Sequence, residues 1–251
     1  MERFHYFLPR ISIPFGLEAL ATAYAVVCVA LRPCLRAIIH ARGKMTAARG
    51  AAMWRLICLL IGYAFGNLLF ADILSRLRAH TSIFELGNGN PGMANAARSL
   101  GKTAAIACLA GDILKVVAAV LVCRTIYPAE LPPLVRGWAC IGATLGHDFP
   151  IWHGFKGGKG VTTLSSALVL IDWRGAIIAA LVAAAAIYLS GYLSIAAVAA
   201  AGAFVIWAVV MLPGEGLLLA VLAFALALYG QWTNLRGIGD GTAKRDFTRR
   251  K

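Results

Sequence analysis

The chain has 251 residues, of which 60% are hydrophobic and only 14% charged. This composition excludes an ordinary soluble domain and is typical of a protein whose helices cross a bilayer. The net charge of +13 is interpreted as basic loops on one side of a membrane. Nucleic-acid binding is not expected, because the basic residues form no aromatic-interleaved patch. The six cysteines contain no C-x-x-C pair, so we predict neither a metal site nor a disulfide framework.

The chain begins with an N-terminal extension, predicted to cover residues 1–55. Its apolar part, residues 11–31, is interpreted as either an extra membrane-spanning helix or an interfacial helix, and a basic segment follows it. A cleaved signal peptide is not expected, because no small-residue cleavage pattern is clear and little positive charge precedes the apolar run. Residues 56–235 are predicted to form the main membrane domain, and residues 236–251 a basic tail.

Seven apolar segments downstream are each typical of a helix. They lack the alternation of apolar and polar residues that a β-barrel strand requires, and several approach the roughly 20 residues that a spanning helix needs. The predicted helices cover residues 53–73, 103–123, 134–149, 161–171, 176–189, 193–211 and 217–229. We therefore predict an all-α, polytopic integral membrane protein with a seven-helix core and an additional N-terminal apolar segment.

Alternation of these helices across a membrane divides the polar segments between two faces. One face receives residues 76–102, 147–160, 190–192 and the C-terminal tail, and it collects most of the lysines and arginines. Basic loops are retained on the cytoplasmic side of a membrane, so both glycine-rich loops are expected in the cytoplasm. The basic segment 32–55 is an exception, because the same count places it on the opposite face.

The stretch 146–163 reads G-H-D-F-P-I-W-H-G-F-K-G-G-K-G-V-T-T and is the strongest functional signal in the chain. Glycine and lysine are concentrated at its centre, in Lys156, Gly157, Gly158, Lys159 and Gly160. Glycines allow a backbone turn with exposed N–H groups, and the helix predicted to follow directs its N-terminal N–H groups to the same place. Positive charge beside such donors predicts an anion site, most naturally for phosphate.

A second glycine-rich loop, residues 87–92, lies on the same predicted face. It can bring backbone N–H groups together and adds side-chain amides; its candidate ligands are Gly87, Asn88, Gly89, Asn90, Gly92 and Asn95. Arg98 follows at what we predict to be the start of the next helix. Arginine can grip a phosphate or carboxylate with two parallel donors.

Two charged residues interrupt the helix predicted at 103–123. Asp112 and Lys115 are three positions apart and so share one helix face. Such a pair should face protein or water rather than lipid. Two interpretations remain open, a structural ion pair and a direct role in the site.

Two histidines, His147 and His153, are candidate acid–base groups, with hydrogen-bonded structural roles as the alternative. A nucleotide P-loop is excluded, because Gly158-Lys159 is followed by glycine and the spacing back to Gly154 is one residue short. No G-x-S-x-G elbow or H-x-x-x-x-D acyltransferase box is visible. The chemistry is therefore expected to depend on positioning and charge rather than on a protein nucleophile.

The two loops and the helix layout resemble the bacterial acyl-phosphate-dependent glycerol-3-phosphate acyltransferases, the PlsY family. The resemblance covers about residues 56–247. The family pattern G-H-x-F-P…F-K-G-G-K-G-V-x-T is matched almost letter for letter in the stretch 146–163. The pattern G-S-G-N-x-G-A-T-N…R is matched at six positions, and the G-D…K element at three. These are Gly87, Gly89, Asn90, Gly92, Asn95 and Arg98, then Gly111, Asp112 and Lys115.

The resemblance implies a seven-helix integral enzyme with its site at the cytoplasmic face. Such an enzyme transfers a fatty acyl group from acyl phosphate to the 1-hydroxyl of glycerol 3-phosphate, without acyl carrier protein or coenzyme A. Substrate phosphate is thought to serve as the base. Carried over by motif, Arg98, Lys159 and Asn234 match the family's phosphate-gripping residues. Ser194 matches the first serine of its Y-x-S-L-x-S element.

The chain departs from the family pattern at several positions of this site. Asn88 stands where the family has serine, and Gln231 where it has histidine. The other departures are Met93, Ala94, Ala197 and Gly237. Asn88 and Gln231 still offer hydrogen bonds, but with a different reach.

The resulting hypothesis is a glycerol-3-phosphate acyltransferase of phospholipid synthesis in the bacterial inner membrane, with its site facing the cytoplasm. Predicted catalytic residues are Lys159, Arg98, Asn234 and His147; predicted binding residues are the two glycine-rich loops with Asn95, Lys156, Ser194 and Gln231. No cofactor is expected; the expected partners are acyl phosphate, glycerol 3-phosphate and membrane lipid. Alternatives are a homologue that acylates another acceptor, a non-catalytic protein that binds phosphate or anionic lipid, and a transporter.

Overall fold

The computed structural model describes residues 47–126, 133–243 and 245, and over these ranges it contains helices and no strand. The predicted N-terminal apolar segment, and the basic segment as far as residue 46, lie outside the described residues. The α-helices of the described ranges, in chain order, are α1 (Ala47–Gly66), α2 (Phe70–Ala79), α3 (Met93–Leu100), α4 (Lys102–Ile126), α5 (Gly137–Asp148), α6 (Val161–Ile171), α7 (Trp173–Ser190), α8 (Leu193–Met211) and α9 (Glu215–Gly239).

All seven predicted apolar helices are present, and the all-α membrane fold is confirmed. Within the described residues, five helical segments are long and apolar enough to cross a membrane: Gly50–Ala79, Lys102–Ile126, Trp173–Ser190, Leu193–Met211 and Glu215–Gly239. By contrast α5 and α6 have 12 and 11 residues, which correspond to about 18 and 16 Å of helix against a hydrocarbon core of about 30 Å. Each of these two helices is therefore too short to cross a membrane by itself.

The helix predicted over residues 53–73 is interrupted, which corrects the prediction of one continuous span. The chain leaves helical geometry between Gly66 and Phe70. The Asn67 side chain donates to the Tyr63 carbonyl at 2.6 Å and accepts from the Ile151 amide at 2.6 Å. These polar contacts stabilise the interruption in an otherwise apolar segment. The contact to Ile151 joins positions 84 residues apart, so the local sequence does not reveal it.

Two further boundaries differ from the prediction. The predicted helix 217–229 continues to Gly239, so residues 230–239, including the first four residues of the predicted basic tail, are helical. Within that extension, Gly230 packs against the backbone of Lys159, where a methyl group would lie 3.0 Å from the carbonyl oxygen, a tight contact. Arg98 lies in the last turn of α3 rather than at the start of α4, because Gly101 separates two helices where the sequence predicts one.

Helices α1 and α5 approach each other through four glycines, two on each helix, spaced four residues apart. A methyl group at Gly62 or Gly66 would collide with carbonyl oxygens of α5, and one at Gly142 or Gly146 with carbonyl oxygens of α1. Small residues at this spacing allow helix backbones to touch within a membrane. This contact places the C-terminal end of α5, which carries His147, against the interruption after α1.

Helices α6–α9 form the second part of the core. Phe204 of α8 and Leu219 of α9 are fully buried, and they pack in one cluster with the buried Leu164 and Leu168 of α6. The outer faces of these helices remain apolar, with Leu181, Ile206 and Val210 among the exposed side chains. A large exposed apolar surface of this kind fits lipid rather than water.

Candidate active site

A cavity of about 230 Å³ lies between the first glycine-rich loop, the stretch 146–163 and helices α4, α8 and α9. It is lined by Asn88, Asn90, Gly92, Met93, Ala94, Arg98, Asp112, His147, Lys159, Gly160, Val161, Thr162, Leu193, Ser194, Gln231 and Asn234. All four residues predicted to be catalytic line it, as do six of the predicted binding residues.

The N-termini of α3 and α6 both open onto this cavity. Gly92 precedes the first residue of α3, and Gly160 precedes the first residue of α6; both line the cavity. Gly160 has a φ of 65°, a conformation that glycine adopts without strain. The first backbone N–H groups of a helix lack partners within that helix and carry partial positive charge. Two such N-termini favour an anion in the space between them.

Lys159 and Arg98 add full positive charge to the same cavity. The Lys159 ammonium donates to the Asn234 side-chain oxygen at 2.6 Å. The Asn234 amide donates in turn to the Ser194 hydroxyl at 2.8 Å and to the Gln231 side-chain oxygen at 3.1 Å. Gln231 also donates to the Lys159 carbonyl at 3.2 Å. Residues from α8, α9 and the loop before α6 thereby form one network, and Gln231 is a functioning member of it although the family pattern has histidine there.

Several predicted binding residues lie outside the cavity. A side chain at Gly157 would collide with the His147 carbonyl, and one at Gly158 with the His147 ring. The Gly158 amide donates to the His147 carbonyl at 2.9 Å. These two glycines therefore allow the loop to pack tightly against His147, which explains their residue type without contact to a ligand. Lys156 is exposed and does not line the cavity.

Asn95 is fully buried beneath the first glycine-rich loop. Its side-chain oxygen accepts from the Asn88 amide at 3.2 Å, and its amide donates to the Leu86 carbonyl at 2.9 Å. Asn95 therefore supports the loop from inside rather than lining the cavity. Gly87 and Gly89, with φ values of 58° and 69°, form the turn around it, and this turn presents Asn88 and Asn90 to the cavity.

Of the two interpretations of Asp112 and Lys115, the structural ion pair is observed, and a direct role in the site stays a prediction. The two side chains form a buried ion pair with Nζ and Oδ1 2.8 Å apart, and Asp112 also lines the cavity. The Lys115 ammonium lies 2.8 Å from His147 Nδ1. Because Asp112 is neutralised by Lys115, the positive charges of Lys159 and Arg98 dominate the cavity.

Asp72 holds both glycine-rich segments in place, and the sequence analysis did not identify it. Its Oδ1 accepts from the Ser82 hydroxyl at 2.6 Å and from the Ile83 amide at 3.0 Å. Its Oδ2 lies 2.8 Å from Arg76 Nε and 3.1 Å from His153 Nε2. His153 thus contacts Asp72 and does not line the cavity. The available signal was an aspartate inside an apolar segment with an arginine four positions on.

Thr162 was also missed as a lining residue, although it lies within the stretch that the sequence analysis emphasised. Its signal was its position, because the second residue of a helix that starts at a ligand site faces that site. Leu193 was missed because an apolar residue at a helix start carries no chemical signal of its own.

Comparison with known proteins shows similarity over the region of the chain that contains this cavity. The profile of the family described as glycerol-3-phosphate acyltransferase matches residues 56–241. Glycerol-3-phosphate acyltransferase 1 of Lactobacillus johnsonii is 41% identical over 130 residues, which span 52% of this chain and 62% of that protein. The glycerol-3-phosphate acyltransferase of Cereibacter sphaeroides is 31% identical over 205 residues, covering 80% of this chain and 94% of that protein.

Two solved structures of one integral membrane acyltransferase have a similar fold. The crystal structure of PlsY, an integral membrane glycerol 3-phosphate acyltransferase, in its glycerol 3-phosphate form has a TM-score of 0.67 and 26% identity, covering 77% of this chain and 96% of that one. Its lysophosphatidic acid form has a TM-score of 0.66 and the same identity. Fold and site thus define a multi-pass α-helical membrane protein. The chain belongs to the glycerol-3-phosphate acyltransferase family.

Proposed function

We propose that this chain transfers a fatty acyl group from acyl phosphate to the 1-hydroxyl of glycerol 3-phosphate and so forms lysophosphatidic acid. The observation that carries the proposal is the meeting of two helix N-termini, Lys159 and Arg98 in one cavity. Both substrates carry phosphate, and the site has the donors and positive charge that phosphate requires. Family membership supports the same reaction.

The lining residues suggest a division of roles. Lys159, Arg98 and the N–H groups at the starts of α3 and α6 hold phosphate oxygens. Asn234 fixes the Lys159 ammonium, and the Ser194 hydroxyl next to it is available to the glycerol moiety. Asn88 and Asn90 provide amide groups on the opposite wall.

The reaction needs no covalent intermediate with the protein. The hydroxyl oxygen of glycerol 3-phosphate attacks the acyl carbonyl carbon of acyl phosphate and forms the new ester bond. The bond between that carbon and the phosphate-bridging oxygen breaks, and inorganic phosphate leaves. The proton of the hydroxyl passes to phosphate. Because the donor carries its own leaving group, the proposed reaction uses neither coenzyme A nor acyl carrier protein. The protein contributes orientation and electrostatic stabilisation.

We place the site at the cytoplasmic face of the bacterial inner membrane. The cavity is lined by residues of the segments 76–102 and 147–160, and by residues at the starts of α6 and α8 and in the C-terminal part of α9. Those segments contain most of the basic residues of the helical region, as expected for cytoplasmic loops.

The test uses the full-length protein purified in detergent, supplied with acyl phosphate and glycerol 3-phosphate. We expect lysophosphatidic acid to form and to be lost in Lys159→Ala. Lys156→Ala is the matched control, since Lys156 is exposed and outside the cavity, and it should retain activity. Parallel assays replace acyl phosphate with acyl-coenzyme A or with acylated acyl carrier protein, and we expect no product from either.

Three other outcomes would contradict the proposal. Acylation of a different alcohol would indicate a homologue with another acceptor. Saturable binding of acyl phosphate without turnover would indicate a non-catalytic binding protein. Phosphate flux in proteoliposomes without an acylated product would indicate a transporter.

A further inference from the structure

The buried ammonium of Lys115 contacts three groups. Its Nζ lies 2.8 Å from Asp112 Oδ1, 3.0 Å from the Leu68 carbonyl oxygen and 2.8 Å from His147 Nδ1. An ammonium has three protons and no acceptor site. Two of these contacts are hydrogen bonds, to the Leu68 carbonyl and to His147 Nδ1, and the contact with Asp112 is an ion pair. One acceptor, the Leu68 carbonyl, is available because α1 and α2 are interrupted at this point.

This arrangement determines which nitrogen of His147 carries a proton. A lysine ammonium only donates, so Nδ1 must accept and cannot itself be protonated. A neutral imidazole protonated at one nitrogen is then protonated at Nε2. A doubly protonated ring would direct an N–H group at the ammonium, and the two positive charges would repel each other.

The other nitrogen of His147, Nε2, belongs to a side chain that lines the cavity. His147 lines the cavity although the residue as a whole is almost completely buried. No residue in the described part of the chain forms a hydrogen bond with Nε2. The Nε2 atom is also not completely buried, so a molecule in the cavity can reach it. The turn at Gly158 lies directly beside Nε2, where only a residue without a side chain leaves room. The Nε2–H group is therefore available to a ligand.

We infer that Lys115 is a positioning residue that fixes His147 in its Nε2–H tautomer, so that His147 donates a hydrogen bond to a phosphate oxygen in the cavity. The inference deepens the proposed function and rests on it. His147 then stabilises negative charge on the bound phosphate and does not remove the proton from the attacking hydroxyl. Its lone pair at Nδ1 is already engaged by Lys115, and Nε2 has no lone pair to offer in this tautomer.

The role of a hydrogen-bond donor can be separated from that of a general base by two substitutions. The amide nitrogen of glutamine reaches about as far as Nε2 of histidine, so His147→Gln keeps a donor but no base. Asparagine is shorter, and its side chain corresponds in reach to Nδ1, so His147→Asn loses both. We expect His147→Gln to retain activity within about tenfold of the unsubstituted protein. We expect His147→Asn to lose activity on the order of 10²-fold, as when an oxyanion donor is removed. Equal loss in both variants would overturn the inference.

The tautomer itself is measured without turnover. Histidine side-chain ¹⁵N NMR on the detergent-solubilised protein, with His147 assigned from the spectrum of His147→Gln, should show a protonated Nε2 and an unprotonated Nδ1. Inorganic phosphate should shift the Nε2 signal, and Lys115→Met should produce a mixture of tautomers. A protonated Nδ1 in the unsubstituted protein, or an Nε2 signal that does not respond to phosphate, would overturn the inference. If Lys115→Met does not fold, the activities of His147→Gln and His147→Asn and the NMR spectrum of the unsubstituted protein still test the inference. Absence of acyl transfer in every sample with a correct tautomer would instead count against the proposed function.

Discussion

The ammonium of Lys159 lies 2.6 Å from the side-chain oxygen of Asn234, although the two residues are 75 positions apart. The contact joins the loop before α6 to the C-terminal half of α9. Asn234 is itself held by Ser194 and Gln231. Lys159 is therefore directed by a chain of side chains and does not extend freely from a flexible loop, which is the condition for a preorganised phosphate site.

Substitution of Asn234 should weaken the site without unfolding the protein. Asn234→Ala removes the acceptor that orients Lys159 and the donor to Ser194. A hydrogen bond to a charged group contributes about 1.5–3 kcal/mol, so kcat/KM should fall roughly 10- to 100-fold. Steady-state kinetics with both substrates measure the change. Thr233→Ala, an exposed neighbour on the same helix, should leave kcat/KM unchanged, and an equal loss there would show that the effect is not specific to the network.

Asp72→Asn should loosen both glycine-rich segments together. The carboxylate accepts from Ser82, Ile83, Arg76 and His153, and an amide nitrogen in place of one oxygen would face donors. Leaving buried donors unpaired costs about 1–3 kcal/mol. We expect a lower unfolding temperature in detergent and faster hydrogen exchange in residues 82–92 and 150–158. The control is Asp240→Asn at the exposed end of α9. Protection that changes in only one of the two segments would contradict a shared anchor.

The contact between α1 and α5 predicts that substitution of glycine by alanine has different effects on stability at two positions. Gly142→Ala places a methyl group against the Leu59 carbonyl, and such overpacking costs about 1–3 kcal/mol. Gly50→Ala, in the same pair of helices, has no atom within 4 Å of the new methyl group, and alanine favours a helix over glycine by about 0.5–1 kcal/mol. Thermal unfolding in detergent should therefore show destabilisation for the first and a neutral or stabilising effect for the second. Equal unfolding temperatures would refute this close contact.

Asn95 should matter for the shape of the first loop. Asn95→Ala leaves the Asn88 amide and the Leu86 carbonyl without their partner, at a cost of about 1–3 kcal/mol in loop stability. The KM for glycerol 3-phosphate should rise, because Asn88 and Asn90 are no longer held at the cavity. Asn90→Ala removes one lining amide but keeps the loop supported, so its unfolding temperature should match that of the unsubstituted protein. A fall in unfolding temperature in Asn90→Ala but not in Asn95→Ala would show that Asn90, rather than Asn95, supports the loop.

Local signals explain where the predicted boundaries agree with the structure. Helices α6 and α8 begin and end at the predicted residues. Gly160 and Gly191 take positive φ values next to them, and the Asp172 side chain caps α7 by accepting from the Gly175 amide at 2.8 Å. Residue type and neighbouring sequence suffice for such features, since caps and turns depend on positions only a few residues apart.

Features set by distant partners were not predicted. The interruption at Asn67 depends on Ile151 and on Lys115, and the burial of Asn95 depends on a loop folding back over it. The glycines of α1 and α5 at four-residue spacing were visible in the sequence, but their meaning required knowing that these two helices are neighbours.

The amino-acid sequence by itself determined the helical membrane class, the order of the helices, and the residue types of a phosphate site with glycine turns, lysine and arginine. These properties follow from hydrophobicity, charge and backbone freedom, which act locally. Only the tertiary structure decided which of those residues face the cavity and which support it. It separated Lys159 from Lys156, and Asn88 from Asn95, and it directed Lys115 at His147. Each of these distinctions depends on a hydrogen bond or a close contact between segments far apart in the chain.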